Sequence, residues 1–144
     1  MHFTQKTRTY ALLSLAALAL SACGMMPGSD GNAMNLSLSG AEEVPPVTTS
    51  ATGNGRIRVA SDGTVSGSVT TKGMQGTAAH IHQAPRGQNG PVIIPLTKNG
   101  DTYAVPSGAK LNPAQMEAFK AGSLYVNVHS AQYKGGELRG QLRP

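Results

Sequence analysis

Short runs of alternating apolar and polar residues, bounded by Gly, Pro, Asn and Asp, cover the chain from Met34 onward. Side chains alternate faces along a strand, so each run reads as a strand with one buried face. Met34, Leu36 and Leu38 alternate with polar residues, and Ile57 and Val59 alternate with Arg56 and Arg58. Asp62-Gly63 is a two-residue hairpin signal leading into a strand over Thr64–Thr70. Further strands are predicted over Ala78–Gln83, Val92–Leu96, Ser123–Ser130 and Glu137–Arg143. Pro95 marks an edge or a bulge, and Gly135-Gly136 supplies the turn joining the last two strands. One helix interrupts the series. Asn112 is a good N-cap, Pro113 suits the first helical position, Gln115 completes a capping box and Gly122 stops the helix. Met116 and Phe119 share a face of it and are expected to cover an end of the fold. The pattern predicts an all-β protein, an antiparallel β-sandwich of Greek-key or immunoglobulin-like type with one short helix.

Strand parity also assigns faces. Leu124, Val126 and Val128 share an apolar face, which should be core, while Tyr125, Asn127 and His129 share the other. In the next strand Leu138 and Leu142 point one way, and Glu137, Arg139, Gln141 and Arg143 the other. Pairing the two strands core to core gathers His129, Glu137, Asn127 and Arg139 on one polar face. If His129 lies opposite Glu137, antiparallel register puts Asn127 opposite Arg139. His80 and His82 share a face too, and they join the polar one if Ile81 is core.

The first 33 residues carry a different signal. Lys6 and Arg8 precede a short apolar run, Ala11–Leu20, which is the form of a secretory signal. The run ends in Leu20-Ser21-Ala22-Cys23, which resembles a bacterial lipobox. That resemblance implies a signal peptide over 1–22, cleavage before Cys23 and lipidation of Cys23; the alternative is a plain signal peptide with an accidental cysteine. Gly24 follows where an Asp would retain a Gram-negative lipoprotein at the inner membrane, so the outer membrane, facing the periplasm, is the expected address. Residues 23–33 read as a flexible tether and 34–144 as one domain. Met25, Met26 and Met34 lie in or beside the tether. They offer soft thioethers suited to Cu(I) or are simply linker residues, the latter being favoured.

Charge and composition then narrow the chemistry. Loss of Lys6 and Arg8 leaves ten basic and seven acidic side chains, a net of +3 against +5 for the full chain. The basic residues are scattered and aromatics are few, so nucleic-acid binding has no support. The sole cysteine is the lipidation candidate, so disulfides and thiolate ligands are excluded from the domain. His80, His82 and His129 are the only histidines after the signal, because His2 is removed with it. Three imidazoles on one polar face could hold a metal. Copper stands at the top of the affinity order for nitrogen sites, and zinc is the less favoured alternative. Glu137 or Asn127 could orient a ligand from behind, and Arg139 could draw in a small anion. The plainer alternative is a polar sheet face with solvated or hydrogen-bonded histidines. Ser130 beside His129 makes no hydrolytic triad, since adjacent strand residues face opposite ways.

Three segments, LSGAEEVPP (Leu38–Pro46), AAHIHQAPRGQNGPVI and SLYVNVHSAQYKGGELRGQL, resemble the CHRD domain family in content and order. The family's recurring positions match at His80, His82, Asn89-Gly90-Pro91, Tyr125, Asn127, His129, Gly136, Glu137, Arg139 and Gly140. The resemblance implies a compact β-sandwich. The histidine pattern is also similar in geometry to the copper half of copper-zinc superoxide dismutases, with His80, His82 and His129 as ligands and Arg139 guiding superoxide. A fourth, bridging histidine and a zinc site are missing, so the analogy reaches a copper-only site at most. Two functions stand as expectations. One is an envelope-anchored lipoprotein binding one copper ion, with superoxide dismutase-like redox activity on superoxide or another small anion. The other is a non-catalytic interaction or structural module without metal, whose protein partner the sequence does not name.

Overall fold

The structure, a computed structural model, describes residues 1–2 and 31–144. The expected signal, Cys23, Met25 and Met26 lie outside the described residues. The strands are β1 (Gly31–Leu38), β2 (Thr52–Ala60), β3 (Val65–Lys72), β4 (Gly76–Gln83), β5 (Val92–Pro95), β6 (Thr97–Asn99), β7 (Thr102–Ala104), β8 (Leu124–Ser130) and β9 (Leu138–Leu142). A 3-10 turn covers Gly40–Glu42, and helix α1 covers Pro113–Lys120.

The strands form two antiparallel sheets, ordered β1-β2-β3-β7-β6 and β5-β4-β8-β9. The chain crosses from one sheet to the other after β3, after β5 and after β7. The fold is therefore the expected all-β sandwich with one short helix. Between the sheets lie the residues that alternation marked as core: Met34, Leu36 and Leu38 from β1, Ile57 and Val59 from β2, Ile81 from β4, and Leu124, Val126 and Val128 from β8, with Leu138 and Leu142 from β9. Full burial of each such side chain contributes roughly 1.5–3 kcal/mol.

Local signals account for the punctuation. Asn112 caps α1 by accepting from Gln115 N–H at 2.8 Å, while the Gln115 side chain accepts from Asn112 N–H at 2.9 Å. Two of the orphan donors at the helix start are thereby satisfied. Phe119 of α1 is buried in the core cluster and Met116 packs against it. Gly63 has φ +87°, as the β2–β3 turn requires. Ala60 N–H donates to Thr64 O at 2.8 Å, so the loop is the three residues Ser61–Gly63 rather than two.

Three boundaries differ from the sequence reading. β1 starts at Gly31 and pairs Gly31 with Ala60, so residues 31–33 belong to the sheet and not to a tether. Met34 is a buried core residue, which removes it from any methionine metal cluster. The hairpin β6–β7 was not predicted, because its strands are three residues each and mostly polar. Its Asn99-Gly100 turn was the available signal, and it delivers Tyr103 into the core.

The two sheets are covered differently. The outward face of the five-stranded sheet is largely open, as at Arg56 and Asn54. The outward face of β8 and β9 is closed by two irregular segments, 39–49 and 84–91. Ser39 exchanges backbone hydrogen bonds with Arg139 at 3.0 and 3.1 Å, carrying the first segment across from β1 to β9.

Candidate metal centre

The register of β8 and β9 pairs Asn127 with Arg139 and Val128 with Leu138, the alignment expected from core-to-core pairing. β4 is the other neighbour of β8, pairing His80 with Asn127, His82 with Tyr125 and Ala78 with His129. Ile81 is buried in the core, so His80 and His82 face outward on the same side as His129. His80 and His129 are thus diagonal neighbours across adjacent strands, a spacing that imidazole rings can bridge. β4 is irregular at both ends of the site: its register slips between Gly76 and Ala78 against β8, and between Ile81 and His82 against β5. Such bulges re-aim side chains at functional edges.

The three rings meet. Ring centroids are 4.9 Å apart for His80–His129, 5.6 Å for His80–His82 and 6.4 Å for His82–His129. One ring nitrogen from each lies within 4.8 Å of the others. Nitrogens about 2.0–2.1 Å from a shared tetrahedral ion lie roughly 3.3 Å apart. The triangle must therefore contract by an ångström or so to close on a metal, a movement within reach of side-chain rotation.

Their hydrogen bonds set which nitrogens carry lone pairs. His82 Nδ1 donates to the Gly90 carbonyl at 2.9 Å, and His129 Nδ1 donates to the Lys134 carbonyl at 2.9 Å. In a neutral imidazole the other nitrogen is then the acceptor. His129 Nε2 accepts from His80 Nδ1 at 3.0 Å. His82 Nε2 is buried and has no partner. A buried polar atom without a partner costs about 1–3 kcal/mol, and here two more imidazole rings lie 5.6 and 6.4 Å from its own, centroid to centroid. This orphaned lone pair is the observation that fits a metal best. His129 fits as well, since ligand histidines commonly donate their other N–H to a carbonyl, and the His80–His129 hydrogen bond would open for both rings to reach one ion. Burial holds His80 below the usual imidazole range, helped by His129 and His82. Burial also lowers His82, against the opposing Gly90 hydrogen bond and with smaller contributions from His129 and Arg139. Both are neutral at pH 7, as ligands must be. His82 is buried, while His80 and His129 are half-exposed, so one side of the cluster opens to solvent.

The supporting residues depart from the sequence reading. Arg139 lies on the expected face but is only 1% exposed, because segments 39–49 and 84–91 cover it. Its guanidinium carbon sits 3.5 Å from the centroid of the Tyr125 ring, a cation–π contact. It donates to Asn89 Oδ1, Pro85 O and Gln141 Oε1, each at 3.3 Å. A guanidinium so enclosed does not present itself to an incoming anion, and the anion-guiding role expected of it gives way to a structural one. Glu137 is also buried, and its carboxylate accepts from Thr49 Oγ1 at 2.8 Å rather than from a histidine. Asn127 donates to Glu43 Oε1 at 2.8 Å and makes no hydrogen bond to a ligand ring. The groups that do hold the rings are the Gly90 and Lys134 carbonyls and Tyr125. The Tyr125 ring stacks on His82 with centroids 4.8 Å apart and planes 10° from parallel. Loop carbonyls leave no mark on sequence. Tyr125 had one, since parity places it on the histidine face.

Glu43 was missed altogether. It is buried, and desolvation pushes its carboxyl up to about 7, against the lowering influence of Arg139 and the Asn127 hydrogen bond.

Fold and site together define an antiparallel β-sandwich domain with a three-histidine cluster on the outer face of one sheet. The CHRD domain family model matches residues 34–142, and the chain belongs to that family. No curated protein and no solved structure matches it.

Proposed function

We propose that this CHRD domain is an envelope-anchored copper-binding lipoprotein, with His80, His82 and His129 as the ligands of a single ion. The observation that carries the reading is the buried, partnerless Nε2 of His82 beside two further imidazoles. Three nitrogen donors without thiolate or carboxylate suit copper, with zinc second. The Leu20–Cys23 motif supports a lipid anchor on Cys23 and an outer-membrane, periplasm-facing address. Bound copper would supply one-electron chemistry through Cu(II) and Cu(I), and superoxide is the small anion such a site would take. The protein's own part is to hold His82 and His129 by their Nδ1–H groups and to leave the cluster's solvent side open.

Elemental analysis of protein expressed in a periplasm should find about one copper per chain. Titration of the metal-free domain with Cu(II), followed by EPR, should give a nitrogen-ligated signal. Unchanged affinity in the His80→Ala/His82→Ala/His129→Ala variant would remove the site. A second reading, a metal-free interaction module, is favoured by one observation. The His80–His129 hydrogen bond and the two carbonyl contacts hold the rings without an ion. It predicts that the triple variant loses stability while the native protein purifies without metal.

A further inference from the structure

The loop between β4 and β5 is tied down more tightly than a connection needs. Asn89, exposed as a residue, uses both ends of its amide. Its Nδ2 donates to the Val44 carbonyl at 2.7 Å, and its Oδ1 accepts from Arg139 at 3.3 Å. Arg139 reaches the loop a second time at the Pro85 carbonyl, 3.3 Å away. Gly90 N–H donates to the Tyr125 hydroxyl at 3.2 Å, and the Gly90 carbonyl accepts His82 Nδ1–H. A Cβ at Gly90 would collide with the Gln83 carbonyl, so only glycine lets the loop lie this close to β4. Arg86 and Glu42 form an ion pair that ties the same loop to segment 39–49.

These contacts all fix one loop, whose Gly90 carbonyl oxygen receives the His82 proton. Arg139 and His82 approach Tyr125 from β9 and β4, the strands on either side of β8. The ring that stacks on His82 is therefore the one covered by the guanidinium that clamps the loop. The planar fork reaches Asn89 Oδ1 from Nη1 and Pro85 O from Nη2, a fixed two-nitrogen span that a single ammonium nitrogen does not reproduce.

We propose that Asn89 and Arg139 are positioning residues that fix the tautomer and aim of His82 through the Gly90 carbonyl. They touch no metal ligand through a hydrogen bond of their own. They hold the loop whose Gly90 carbonyl keeps the proton on Nδ1, and so leave Nε2 as the nitrogen with the lone pair. The consequence for metal affinity rests on the copper reading above. The tautomer itself does not.

The test separates the two. In the metal-free protein near neutral pH, nitrogen-15 correlation spectra of the histidine rings should show His82 as a single tautomer protonated on Nδ1. Asn89→Ala, at an exposed position, should leave the domain folded and mix the two His82 tautomers. Arg139→Lys should mix them as well. His129, held by Lys134 instead, should keep its spectrum and serves as the internal control. Cu(II) affinity should fall roughly tenfold in Asn89→Ala, the low end of what loss of a ligand-orienting contact costs. A His82 ring that stays a single Nδ1–H tautomer in both variants overturns the proposal. So does an equal change at His129, which would mean general loosening. If the native protein takes up no copper, the functional reading fails while the His82 spectra still decide this one.

Discussion

The two sheets of the sandwich are built from the same alternating pattern, yet their outward faces have opposite fates. In β2 the outward residues Thr52, Asn54 and Arg56 are exposed. In β8 and β9 the outward residues Tyr125, Asn127 and Arg139 are as buried as the core. The inward faces are alike, filled by Val, Leu and Ile. The difference comes from segments 39–49 and 84–91, which lie over one sheet and not the other. A polar face that is covered must satisfy its groups internally, because water no longer does so. Arg139, Asn127, Glu43 and Asn89 are accordingly linked by hydrogen bonds to one another or to backbone carbonyls, Glu137 accepts from the Thr49 hydroxyl, and His82 Nε2 and Asn127 Oδ1 are left over. The lesson is that outward on a strand does not mean exposed, and that a buried polar layer can hold a site in place.

The contrast can be tested in order of expected effect. Leu138→Ala, on the shared inward face, should cost about 2–5 kcal/mol in urea unfolding, as for other large-to-small core changes. Arg139→Ala and Arg56→Ala probe the two outward faces directly. The first should cost about 2–4 kcal/mol, because it strands buried acceptors and uncovers Tyr125. The second should stay within about 0.5 kcal/mol. Equal costs would abolish the distinction between the sheets.

A smaller effect is read from pH. Glu43 has its folded carboxyl raised from 4.5 to about 7. The folded state therefore binds the proton more tightly than the unfolded chain. Its contribution is fully present below 4.5 and is lost as pH rises through about 7. Unfolding free energies of the native protein and Glu43→Gln, compared between pH 4.5 and 8, should diverge in that sense. No divergence would mean the layer above Asn127 is wet.

The histidines should show the opposite sign. His80 and His82 are lowered from 6.5, so their contribution is present above 6.5 and fades as pH falls through the lowered folded values. Ring titration by NMR in the metal-free protein should place both midpoints below 6.5. A midpoint above 6.5 at His82 would show that the covering segments leave it open to water.

Much of the fold was legible because it rests on short-range rules. Alternation found β1, β2, β4, β8 and β9, and capping chemistry at Asn112 and Gln115 found α1. The β6–β7 hairpin escaped because strands of three residues are too short to show a period. The site was half legible. Parity put His80 with His82, and His129 with Asn127, Glu137 and Arg139, joining the two sets only if Ile81 is core. It could not show that β4 neighbours β8, or that Arg139 is enclosed.

The sequence by itself determined which side of each strand every functional residue occupies, since that follows from the two-residue period of an extended backbone. Tertiary structure alone decided what lies above that side. The loops that cover it come from residues 39–49 and 84–91, remote in sequence from β8 and β9. The loop carbonyls that hold His82 and Arg139, and the Lys134 carbonyl that holds His129 from the turn between β8 and β9, belong to the backbone common to all residues. No pattern of side chains announces where a carbonyl will point once the chain has closed over itself.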